Sequence, residues 1–180
     1  MDLNKLREKM PFVWKVQGKA KTGKTGKTIC VAYIDARAVQ KFLDNVVGPE
    51  NWKTEFSQPY FAKTVANRYK NGATVEIEAD IVRVSCKLSI KVNDEWITKE
   101  DVGEGEDTEA TKSAFSDAFK RSAVHWGVGR FLYDLGIQNV SAEELRECKY
   151  NLTNYLNNRL ENNSTNGKET KQEEGSLDDL

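Results

Sequence analysis

The chain has 180 residues, 38% of them hydrophobic and 31% charged, with a formal net charge of −1. This composition suits one soluble domain plus a tail, and no apolar run is long enough to span a bilayer. The start, MDLNKLREKM, is charged and lacks the apolar segment of a secretion signal, so the expected location is the cytoplasm.

In chain order, Asp2–Lys9 reads as a short helix and FVWKVQ as the entry to a strand. A lysine-rich loop, GKAKTGKTGK, leads to TICVAYI, a strand by its β-branched and aromatic content. Asp35 is a good helix cap, and Val39, Phe42, Leu43, Val46 and Val47 recur at helical spacing until Gly48-Pro49 stops the helix. Strand signals run from Trp52 to Phe61, and a polar turn around Gly72 opens the longest β segment, ATVEIEADIVRVSCKLSIKV. Its apolar residues fall at odd positions to Ile81 and at even positions from Val82, which predicts a bulge or sharp bend. VNDEW makes a hairpin turn into WITKEDVG.

The acidic stretch Glu100–Glu109 then reads as a solvated turn feeding a helix from about Thr108, capped by Asp107. Phe115, Ala118, Phe119, Ser122 and Trp126 form one stripe of that helix, and Gly127 and Gly129 end it. A short turn or helix, RFLYDLG, follows, and Ser141 caps a last helix over roughly Ala142–Leu160. The fold class is α+β: a curved antiparallel meander of three to four strands packed against a main helix, with additional short helices. Residues 1–160 are expected to form the domain, and 161–180 a disordered acidic tail. That tail holds two lysines against six acids, a net of −4, which leaves +3 on the body. A mildly basic body with an acidic tail fits a nucleic-acid binder, as it fits many enzymes.

The segment GKAKTGKT, Gly18–Thr25, matches the phosphate-loop pattern Gly-x-x-x-x-Gly-Lys-Thr. The pattern needs a helix directly after it, so that helix amides and the lysine converge on phosphates. Here a strand follows, and a second Gly-Lys-Thr at Gly26–Thr28 shows how readily this loop generates the match. A mobile basic hairpin loop is the better reading, and it could still touch phosphates as point charges.

Other chemistry is thinly represented. Cys30, Cys86 and Cys148 lie far apart and read as free thiols, and His125 is the one histidine, so zinc and triad sites are not expected. His125, beside an apolar stripe, reads as a structural side chain. The acids after Glu100 fail calcium-loop spacing, because positions three and five counted from Asp101 are Gly103 and Gly105. No metal, cofactor or enzymatic activity is expected.

Two basic faces remain. On the main helix, Lys120 and Arg121 lie away from the apolar stripe, placed to grip successive phosphates. On the long strand, Arg83, Ser85, Lys87, Ser89 and Lys91 share one face, small hydroxyls alternating with cations at a step of about 7 Å from one residue of the face to the next. An ordinary solvent-facing sheet surface would look the same. Lys63, Arg68 and Lys70 could extend the patch, and Tyr60, Phe61 and Tyr69 could stack on bases, although core or subunit contacts suit them as well.

YIDARAVQKFLDNVVGPENW and EDVGEGEDTEATKSAFSDAFKRSAVHWGVGRFLY together resemble the single-strand annealing proteins of the Rad-fifty-two type, closest to their bacteriophage relatives, often called Sak. The likeness runs from about Phe12 to Gly136. Its most specific block is an acidic-Val-Gly element, a helix with Ser-Asp-Ala-x-Lys-Arg-x-Ala, then Gly-x-Gly-Arg. The resemblance implies a β-β-β-α core, assembly into homo-oligomeric rings or filaments, and ATP-independent annealing of complementary single-stranded DNA in recombination and repair. It implies a DNA groove lined by Lys120 and Arg121. A basic residue of the first core helix also faces DNA in that family; Arg37 stands one position before that place, which Ala38 occupies. A further basic residue one turn after the Lys-Arg pair is replaced by Val124, and Arg83, Lys87 or Lys91 could compensate.

The expected partners are therefore single-stranded DNA, further copies of the chain and, through the acidic tail, a host single-strand binding protein, in the cytoplasm of a bacterial host if the chain is phage-encoded. Two alternatives stay open: a passive single-strand protector that does not anneal, and a phosphate-loop nucleotide hydrolase.

Overall fold

The computed structural model describes residues 2–17, 27–70, 73–106, 109–148 and 151–173. The chain divides into two compact units, one of Met1–Pro11 with Ile34–Asp134, the other of Phe12–Tyr33 with Leu135–Leu180.

The first unit is built on one long strand. β3 (Trp52–Phe56), β4 (Tyr60–Lys70), β5 (Ala73–Val92) and β6 (Glu95–Glu106) form an antiparallel sheet in which all three other strands pair with β5. The hairpin between β5 and β6 turns at Asn93 and Asp94, both with positive φ (50° and 67°). Two such residues in succession match the twist of the flanking strands. α2 (Ala110–Trp126) lies across the sheet and buries Val82, Val84, Cys86, Leu88 and Ile90, the even positions of β5. Burying each of the larger aliphatic side chains stabilises the fold by about 1.5–3 kcal/mol. At the rim, Phe56 meets Phe115 (centroids 4.9 Å apart) and Trp52 meets Phe119 (6.0 Å). α1 (Ala36–Val47) packs against α2 and β3, burying Val39, Leu43 and Val47. Its start is fixed as expected: the Asp35 carboxylate accepts from the Ala38 amide at 2.7 Å.

The expected bulge is absent. Both ladders of β5 run through Ile81 and Val82 without an extra residue. Ile81 and Val82 point to opposite faces, and both are buried. Residues 73–80 of β5 pair with β4 alone, residues 81–83 lie between β4 and β6, and residues 86–90 lie between β3 and β6. Along this continuous strand the less exposed side changes, from Val75, Ala79 and Ile81 to the even residues from Val82 onward, and no slip of the backbone is needed.

The acidic stretch is also different from its expectation. It is not a turn, because Glu95–Glu106 is strand throughout. Alternation sends Glu100, Glu104 and Glu106 to one face and Asp101 to the other. α2 begins at Ala110, and its expected cap Asp107 lies outside the described residues.

In the second unit β1 (Val13–Val16), β2 (Lys27–Tyr33) and β7 (Gln138–Ser141) form a three-stranded antiparallel sheet. β7 was not expected; four polar and mixed residues carry no strand signal, and pairing with β2 supplies it. The last helix is two: α3 (Ala142–Glu147), with a capping box between Ser141 and Glu144, and α4 (Leu152–Glu173). α4 enters the segment read as a disordered tail, and residues 174–180 lie outside the described residues. Trp14, Cys30, Val140 and Leu156 form this unit's core. The Trp14 indole N–H donates to Asn157 at 2.9 Å. The phosphate-loop segment lies outside the described residues, but it joins β1 to β2, two antiparallel strands. The helix that a nucleotide site requires does not follow it.

No helix among the described residues is long and apolar enough to cross a membrane. Burial pushes the thiols of Cys30 and Cys86 up, the latter to about 11 even though a Ser122 hydrogen bond opposes the shift.

Candidate nucleic-acid interface

The position of Lys120 and Arg121 follows from how α2 is held. Two bonds fix its roll over β5. The Ser122 hydroxyl donates to the Cys86 carbonyl at 2.6 Å, and the Trp126 indole N–H donates to the Leu88 carbonyl at 3.1 Å. Small residues fix its height. Gly103 and Gly105 are opposite Val84 and Val82, so they face the helix. A Cβ at Gly103 would collide with the backbone of Ala118, and one at Gly105 with the backbone of Ala110. The glycines let the first half of α2 lie directly on β6.

Beyond the glycines, larger β6 side chains meet the second half of the helix. Residues at i and i+4 share a helix face, and Asp117, Arg121 and His125 form such a row along β6. Asp117 accepts from the Glu104 amide at 3.4 Å. Asp101 receives both Arg121, from Nε at 3.3 Å and Nη2 at 3.2 Å, and His125 Nε2 at 3.1 Å. Burial works to raise the Asp101 pKa. The Val102 amide at 2.7 Å, the Arg121 guanidinium and His125 outweigh it, and the carboxyl is held below its ordinary value.

Cations gather where α2 ends. Lys99 Nζ donates to the His125 carbonyl at 2.8 Å and stands 4.6 Å from the centroid of the Trp126 ring. Arg130 Nη2 donates to the carbonyls of Val124 (2.7 Å) and His125 (3.1 Å). Positive side chains at the last carbonyls are favoured by the helix dipole. Arg7 lies against Gly127 in the same region. Arg121 is exposed, with its side chain 48% accessible, and Lys120 beside it is half-buried.

The strand row occupies the other face of the sheet. The odd residues of β5 point away from α2, so no straight track joins Arg83, Lys87 and Lys91 to Lys120 and Arg121. Each odd-face cation has an acid beside it. Arg83 Nε pairs with Glu104 at 2.8 Å, Lys91 with Asp94 at 3.1 Å, and Lys87 lies in register between Glu55 and Glu100. Ser89 is buried and shares a 2.8 Å bond with Thr98. Arg37 is exposed in the first turn of α1. Lys63 pairs with Glu78 at 3.0 Å. Tyr60 and Phe61 are exposed, whereas the side chains of Arg68, Tyr69 and Lys70 lie outside the described residues.

Sequence reading found the Lys-Arg pair but missed Lys99, Asp101 and Arg130 as its neighbours, and it read His125 as merely structural. The usable signals were the i, i+4 spacing of Arg121 and His125 and the unbroken alternation from Lys99 to Gly105. The high acid content of that stretch suggested a turn instead.

Residues 2–150 match the Rad52/22 family double-strand break repair protein. The chain is 34% identical over 122 residues to the single-stranded DNA-binding protein DdrA of Deinococcus radiodurans, covering 67% of this chain and 48% of that protein. It is 34% identical over 117 residues to the protein of the same name from Deinococcus deserti, covering 64% and 47%. The chain thus spans about half the length of these curated relatives. With the family match running over most of the sequence, the chain belongs to the Rad52/22 family of double-strand break repair proteins.

Proposed function

We propose that the chain binds single-stranded DNA through its sugar-phosphate backbone and anneals complementary strands without ATP, in recombination and repair. The observation that carries this reading is the exposed Arg121 beside Lys120, in the cation-rich region at the end of α2. The names of the Deinococcus relatives, single-stranded DNA-binding proteins, support the substrate class. Lys120 and Arg121 are the primary phosphate ligands. Arg37, Arg83, Lys87 and Lys91 are secondary ones, weakened at the last three by the acids beside them. Backbone binding leaves base edges free, so a second strand can test register and pairing energy drives the reaction.

The working form is a homo-oligomeric ring or filament, which extends the bound strand. Tyr60, Phe61 and Val65 on β4, all exposed, are apolar side chains offered to a neighbouring copy or to bases. The acidic C-terminal segment docks a host single-strand binding protein, and the setting is the cytoplasm of a bacterial host carrying the gene on a phage.

The test mixes two labelled complementary oligonucleotides without ATP. Faster pairing with protein is the expected result; slower pairing would identify a passive protector. Lys24→Ala should leave annealing intact, which a nucleotide hydrolase would not tolerate. Lys120→Ala with Arg121→Ala should weaken binding several-fold or more and flatten its salt dependence, by about 0.7 in log–log slope for each phosphate no longer neutralised. Unchanged binding in that double variant would reject the site.

A further inference from the structure

Arg121 does not face solvent as an independent charge. Its Nε and Nη2 both donate to Asp101, whose other oxygen meets His125. An arginine has five N–H donors, so the remaining three stay available to a phosphate. The bonds to Asp101, 3.2 and 3.3 Å, are longer than the 2.7–2.9 Å or so of tight charge-assisted pairs. Asp101 orients the guanidinium and holds it loosely.

We infer that Asp101 and His125 are positioning residues that set the charge Arg121 presents to a DNA phosphate. This inference rests on Arg121 being a DNA ligand. With His125 neutral, the Asp101 carboxylate cancels the guanidinium and the three side chains sum to zero. With His125 protonated, the imidazolium offsets Asp101 and the sum is +1. Proton uptake on a helix side chain thereby adds one effective cation to the DNA-binding surface.

The groups that face His125 fit this role. Asp101, from β6, meets the ring directly, with Arg121 on the same helix sharing that carboxylate; the cations at the His125 carbonyl are Lys99 from β6 and Arg130 from the following turn, with Arg7 nearby against Gly127. Among these, histidine is the type whose ordinary titration falls between pH 5 and 8. The environment that holds Asp101 below its usual value keeps it ionised across that range. His125 is the chain's one histidine, so no second imidazole can imitate the effect.

The experiment measures binding of a fluorescent oligothymidylate by the full chain against salt, at pH 6 and pH 8, for the wild type, His125→Gln and Asp101→Asn. The wild type should show a log–log salt slope steeper by about 0.7 at pH 6, one phosphate more. A fourfold rise in salt then costs about 2.6 times more affinity at pH 6 than at pH 8. His125→Gln should have one slope at both values, and Asp101→Asn at pH 8 should match the wild type at pH 6. A wild-type slope that ignores pH would overturn the inference, as would a His125→Gln protein that steepens as much as the wild type. Failure of the wider reading looks different: the wild type would not bind the oligonucleotide in a salt-dependent way at either pH.

Discussion

Gly103 lies against the backbone of Ala118, with no room between them for a methyl group. β6 and α2 meet there main chain to main chain, and this close approach sets the height at which the helix carries Lys120 and Arg121. Gly103→Ala should therefore destabilise the chain by at least the roughly 1–3 kcal/mol of an overpacked core. Gly105→Ala, against Ala110, should do the same. Gly136, at φ +62° with nothing within 4 Å of an added Cβ, is the control. Alanine there should cost only the backbone strain, about 1–2 kcal/mol. Denaturant midpoints of the three variants would check the order.

Ser122→Ala should cost about 1 kcal/mol, the net worth of the buried bond to the Cys86 carbonyl. A urea midpoint identical to wild type would mean that the Trp126–Leu88 bond alone sets the roll of the helix.

Acid should weaken the second unit through Glu144. The Ser141 amide, the Tyr155 hydroxyl and the Ser141 hydroxyl hold its pKa down to about 2, against an ordinary 4.5. Arg159, 3.2 Å away, adds to the effect. The folded state thus favours the charged form. Its contribution is complete above about pH 4.5 and drains away as pH falls toward 2. Glu144→Gln should lower the melting temperature at pH 7 and shrink the difference between pH 7 and pH 3. An unchanged difference would assign acid sensitivity elsewhere.

Arg83→Ala with Lys87→Ala should reduce single-stranded DNA binding by less than Lys120→Ala with Arg121→Ala. Glu104 holds Arg83 at 2.8 Å and two acids, Glu55 and Glu100, flank Lys87, whereas Asp101 holds Arg121 at the longer 3.2 and 3.3 Å and meets His125 with its other oxygen. Exposed ion pairs of this kind contribute about 0–1 kcal/mol each, so stability should change little. Filter binding at two salt concentrations would rank the two surfaces, and equal losses would make the sheet face a full partner of the helix.

Much of this protein was settled within short windows of sequence. Asp35, Gly48, the Asn93-Asp94 turn, Ser141 and Gly127 act on the few residues around them, so capping and turn chemistry alone place those boundaries. The Lys-Arg pair was legible for a similar reason, because a helix stripe defines its own opposite side. What only the tertiary structure decided depends on which face of an element finds a neighbour. β5 buries its even residues only from Val82 onward, because α2 covers that part of the strand. The run from Glu100 to Glu106 is strand because pairing with β5 and two glycines under α2 outweigh its polar composition. Asp101 reaches Arg121 and His125 across twenty or more residues of chain, a meeting that exists only once the helix lies on the sheet.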